Sequence, residues 1–63
     1  MNTYDAINQA MAPERMAIDD ARKLDWLERK CQWAVLMVDT GMLSLDEAIR
    51  ALREGHAKAM DRT

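Results

Sequence analysis

Sixty-three residues make one small domain or part of one, whose core can contribute only a few kcal/mol of net stability. One cysteine excludes an intramolecular disulfide, and one cysteine with one histidine falls short of a structural zinc site, which leaves oligomerisation as the usual way to stabilise so short a chain. Nine basic and eleven acidic side chains, alternating in sign, give a net charge of −2 and oppose a polyanion partner; the apolar run from Trp33 to Val38 is too short to span a bilayer, and no signal-peptide pattern opens the chain, so a cytoplasmic location is expected.

There is no Phe, only two Gly and one Pro, and Ala, Leu, Met, Arg, Glu and Lys fill the chain, so propensity favours helix nearly throughout and the fold is read as all-α. A short first helix is expected over about residues 4–11, opened by Asn2 or Thr3 and carrying Tyr4, Ile7 and Met11 on one face. Pro13 either breaks or kinks the chain, and the reading taken is a break, with Pro at the start of a second helix. That helix is expected over about 13–39, roughly 39 Å long at about 1.5 Å per residue. Gly41 stands where a left-handed residue ends a helix, with Met42 over Met37 as the apolar contact of a Schellman motif. Ser44 and Glu47 have the spacing of a capping box, and the third helix is expected over about 45–60, passing through Gly55.

The stretch Gly41-Met42-Leu43-Ser44-Leu45-Asp46-Glu47 resembles the bend of many bacterial helical hairpins, the small SHOCT type among them, in which a Gly and two apolar residues precede a capped helix. It covers seven residues and identifies no family.

In the second helix Ala17, Asp20, Leu24, Leu27, Cys31, Ala34 and Val38 follow a heptad rhythm, and Leu45, Ile49, Leu52, His56 and Ala59 repeat it in the third. Folding back antiparallel about Gly41 pairs Val38 with Leu45, Ala34 with Ile49, Cys31 with Leu52, Leu27 with His56 and Leu24 with Ala59, each pair adding to 83. The reading is therefore a single domain over residues 1–63, a helical hairpin preceded by a short helix. A third helix of about 24 Å leaves Met16, Ala17 and Ala21 to be covered by the first helix or by a second copy. Both Trp lie off the seam, and Val35 and Leu36 make Trp33 to Val38 apolar on every side, which calls for a second neighbour. Two-fold pairing through Trp33, Val35, Leu36 and Met37, giving a homodimeric bundle, is the expected answer.

Catalysis is not expected, because the side chains assemble no nucleophile, base and orienting group, and no cofactor or metal is implied. Cys31 reads as a buried apolar residue between Leu27 and Ala34, and His56 as a packing residue. Asp19, Asp20, Asp25 and Glu28 are interleaved with Arg22, Lys23, Arg29 and Lys30, which reads as a salt lattice rather than a metal site, and Asp20 stands apart as the one polar seam position of the second helix. Arg50, Arg53, Lys58 and Arg62 suggest DNA contacts, but Asp46 and Glu47 would open the supposed recognition helix toward phosphates. The function expected is a protein-binding regulator, an inhibitor or anti-activator of the phage or mobile-element kind that sterically blocks a bacterial host protein. Its expected contacts are Trp26, Arg22, Arg29, Lys30, Met16 and Tyr4, since Trp and Arg dominate binding hot spots and Met adapts to irregular partners. A structural subunit or assembly chaperone is the alternative, and a small DNA-binding regulator the third reading.

Overall fold

A computed structural model describes residues 2–61 of the chain, with side-chain surroundings as far as residue 59, so Arg62 lies outside the described residues. Four helices follow one another: α1 over Thr3–Ala10, α2 over Ala12–Met16, α3 over Ala21–Asp39 and α4 over Leu45–Asp61. No strand occurs among the described residues, and the fold is all-α.

Local chemistry sets each boundary. Asn2 caps α1, its side chain accepting from the Asp5 amide at 2.8 Å. Pro13 sits in the first turn of α2, where the amide it lacks would have had no helical acceptor. The chain therefore breaks at Met11, as the reading of Pro13 has it.

The long helix expected over 13–39 is in fact two helices, separated by residues 17–20. Asp20 is the cause. It adopts an extended backbone (φ −96°, ψ 122°), its carboxylate accepts from the Arg22 amide at 2.8 Å, and its carbonyl takes the first helical bond, from Leu24, at 3.0 Å. The one polar residue in the seam expected of the second helix is thus an N-cap. With this break α3 has 19 residues, about 28 Å, against 17 residues and about 25 Å for α4, and the overhang expected of a longer helix largely disappears.

The bend between α3 and α4 follows the sequence closely. Gly41 has φ 79°, its amide donates to the Val38 carbonyl at 3.1 Å, and the Met42 amide donates to the Met37 carbonyl at 2.9 Å, the two bonds of a Schellman motif. Its apolar contact differs from expectation, since Met42 is 68% exposed and Leu43 packs on the core instead. The capping box forms in both directions, Glu47 amide to Ser44 Oγ and Ser44 amide to Glu47 Oε1, each at 3.1 Å.

Ile7, Met11, Leu27, Cys31, Ala34, Ala48 and Leu52 form the buried core, with Ile18, Trp26, Val35, Val38, Leu43 and Ile49 packed around it. Helix α1 docks on its own chain. Thr3 Oγ1 donates to Asp39 at 2.9 Å, joining the start of α1 to the end of α3, so the two run antiparallel. Further along, Arg15 pairs with Glu28 and donates to Asn8 Oδ1 at 2.6 Å, while Arg53 of α4 donates to the Ala10 carbonyl at 3.3 Å and lies 3.6 Å from Glu14. Part of the apolar surface of α3, Val35 included, thus has α1 as its second neighbour, while Leu36 and Trp33 stay exposed. Met16, Ala17 and Ala21, for which cover was expected, are all exposed, Met16 by 86%.

Candidate recognition cleft

Along α3, Lys23, Trp26, Lys30, Trp33 and Met37 recur at steps of three and four beside the buried seam, so they form one stripe. Where this stripe borders α4, Trp26, Lys30 and Trp33 face Ala51, Leu52 and Gly55 across a cleft of about 160 Å³. The small residues of α4 make room for the indoles: a Cβ at Gly55 would stand 3.4 Å from Trp26 Cη2. Between the rings lies Lys30, its Nζ 5.9 Å from the Trp26 centroid and 5.8 Å from that of Trp33. Both distances are within the range of cation–π attraction, which holds the ammonium group over the cleft wall. Small-molecule sites usually enclose about 300–1,000 Å³, so this cleft has room for a single protruding side chain.

Trp26, expected as a partly open anchor, is half-buried at the cleft and packs on the core beside Gly55, and Trp33, expected at a self-association face, is 40% exposed in the free chain. Of the other residues expected at a self-association face, Leu36 is 60% exposed, Met37 is half-buried, and Val35 packs on the chain's own core.

The residues expected to bind a partner do not all share one surface. Trp26 and Lys30 line the cleft, with Arg22 exposed one turn before Trp26 and Arg29 exposed and paired with Asp25 at 3.2 Å. Tyr4, on α1, is 42% exposed and Met16 ends α2. Helix α2 reaches α3 through Glu28, which stands two residues from both Trp26 and Lys30 and so roughly 160° around the helix from each. No residue of α1 or α2 lines the cleft.

Three further side chains bear on the chemistry available. Burial pushes the Cys31 thiol above its ordinary range, an effect partly offset by the nearby Arg15 guanidinium. The Ser44 amide and hydroxyl, assisted by Arg50, hold the Glu47 carboxyl below the usual carboxylate range. His56 is half-buried, and its Nδ1 has no hydrogen-bond partner among the described residues. Sequence reasoning missed Arg15, which ties α2 to α1 and α3, and missed the cleft's far wall. A signal for that wall existed in Ala51 and Gly55, small residues at helical spacing that allow close approach. Compared with protein-family models, with curated proteins and with solved structures, the chain matches none.

Proposed function

We propose that the chain is a small non-enzymatic regulator of the cytoplasm that acts by binding another protein, as an inhibitor or anti-activator of the phage or mobile-element kind. In this reading α3 and α4 form an antiparallel hairpin bent at Gly41, and the cleft between them takes one apolar side chain of a bacterial host protein. The observation that carries the reading is the cleft itself, with two indoles, a cation held between them, and Trp33 left 40% exposed. Aromatic and basic anchors around a pocket are the composition of a binding hot spot. Blocking by bulk requires no chemistry from the chain. No helix among the described residues is long and apolar enough to cross a membrane.

Self-association is a second reading, favoured by Leu36, which is 60% exposed on α3 near Trp33. A photoreactive side chain at position 33, with Gln9 on α1 as the control position, tests the binding reading in cells. A discrete adduct with another protein from position 33 and none from position 9 is expected. Equal yields from both positions, or adducts with the chain itself alone, would refute it.

A further inference from the structure

We propose that the cleft selects an acidic segment of its protein partner, one apolar side chain entering between the indoles while carboxylates beside it meet Lys30 and the cations at the cleft's open end. The proposal rests on the binding reading and deepens it, since it states the chemistry of the segment that binds.

Lys30 is the one charged side chain lining the cleft among the described residues, and it makes no ion pair with any of them. Two ring faces hold its ammonium group instead, at 5.9 and 5.8 Å. That hold orders a long side chain before a partner arrives, so less freedom is lost on binding. An occupant of the cleft also strips water from the same ammonium group. A carboxylate beside the apolar anchor offsets that loss, whereas a wholly apolar segment does not and a basic one adds repulsion.

The chain's own carboxylates are engaged elsewhere or stand away from the cleft. Glu28 pairs with Arg15, Asp25 with Arg29, and Glu14 with Arg53. Glu47 and Glu54 lie beyond Ala51, in a groove they share with Arg50, and one Glu47 oxygen is taken by the Ser44 amide. At the open end the balance is basic. Trp26 meets Gly55, so one turn further out Lys23 of α3 and Lys58 of α4 stand at the same level, with exposed Arg22 beside them. None of these three cations makes an ion pair among the described residues. Asp20, at the start of α3, is taken up as its N-cap, which leaves Asp19 against three positive charges. Cations gathered in this way repel one another in the free chain, and an anionic segment laid among them removes the repulsion. Lys23 and Lys30 are seven residues apart on α3, about 10 Å, a distance that about three residues of extended chain cover. The segment expected is therefore an apolar residue with one carboxylate next to it and another about three positions away.

Titration of the isotope-labelled chain with short synthetic peptides, followed through the indole N–H signals of Trp26 and Trp33, tests this. The probe has one Leu among Glu and Asp; one control keeps the Leu among Lys residues, and the other keeps the acidic residues around Ala. The probe is expected to bind about tenfold or more tightly than either control, and less tightly as salt rises from about 0.1 M to about 1 M and the screening length falls from about 10 Å to about 3 Å. Lys30→Gln is expected to weaken it about threefold or more, and Arg50→Gln, in the outer groove, to leave it unchanged. No indole shift with the probe, equal binding of the acidic and basic Leu peptides, equal binding of the Leu and Ala peptides, or a Lys30→Gln chain that binds like the wild type would each overturn the proposal. Indole shifts with duplex DNA and none with the probe would overturn it in favour of a phosphate ligand. A protein adduct from position 33 in cells, with no preference among the peptides, would leave the binding reading standing and remove this one.

Discussion

Two methionines five residues apart give the fold its most discriminating test. Met11 is completely buried between α1 and the rest of the core, while Met16, at the end of α2, is 86% exposed. Truncating a buried Met to Ala costs about 2–5 kcal/mol through lost transfer energy and the cavity left behind, whereas exposed substitutions usually fall within about 0.5 kcal/mol of zero. A chain of 63 residues has a total stability of about 3–9 kcal/mol, so Met11→Ala should remove a large part of it. With a urea dependence near about 1 kcal/mol per molar, the unfolding midpoint should fall by about 2 M or more, or the variant should be unfolded without denaturant. Met16→Ala should leave the midpoint where it was. The assay is urea titration followed by circular dichroism at 222 nm on both variants. If Met11→Ala shifts the midpoint no further than Met16→Ala, α1 does not dock on its own chain and the core described here is wrong.

The two glycines should respond to alanine with opposite signs. Gly41 has φ 79° with open space around its Cβ position, so Gly41→Ala should cost about 1–2 kcal/mol from backbone conformation alone; Gly55 is helical and its added methyl meets Trp26 at ordinary contact distance, so Gly55→Ala should gain up to about 1 kcal/mol. Thermal melts of the pair check this, and a stabilised Gly41→Ala would contradict the Schellman assignment. Glu47 has its folded carboxyl value lowered by the Ser44 cap, so its stabilisation is complete above the unfolded carboxylate range and is lost as pH falls through the folded value. Ser44→Ala should flatten the acid limb of a stability-against-pH curve, and an unchanged limb would count against the cap. Cys31 titrates in the opposite sense: burial raises its value, so stability is complete below the ordinary thiol range and falls as pH rises beyond it. Modification by a thiol reagent should accelerate with urea in step with unfolding, and native-state labelling as fast as a free thiol would refute the burial.

Features decided within a few residues were legible in the sequence. Gly41, Ser44 and Glu47 fix the bend through bonds that span no more than five residues, and these formed as their spacing implies. The seam through Leu27, Cys31, Ala34 and Leu52 was equally plain, because burial on a helix repeats with the turn. Asp20 was harder, since a carboxylate at a seam position is compatible with a polar interruption in one long helix and with the cap of a shorter one. Only the extended backbone at Asp20 separates the two. The depth at which Trp26 sits was not legible, because a heptad gives a side chain's direction but not the bulk of its neighbour, and its ring stands 3.4 Å from where a Gly55 Cβ would be. The docking of α1 was legible only in part: Ile7 and Met11 share a face that had to be covered, whereas the side-chain bonds from Thr3, Arg15 and Arg53 that span from seven to 43 residues leave no periodic trace.

The central claim is that the chain works through the α3 and α4 face, opposite α1, whatever occupies it. Hydroxyl-radical footprinting reads that claim directly, because the side chains it labels best stand on both faces: Trp26, Trp33 and Met37 on one side, Met16 and Tyr4 on the α1 and α2 side. Labelling would be compared between the dilute purified chain and the chain at high concentration or in bound complexes recovered from cells. Protection of Trp33 and Met37, with Met16 still freely oxidised, is the expected result. Protection of Met16 and Tyr4 with Trp33 unchanged would place the working surface on the α1 and α2 side and contradict the account.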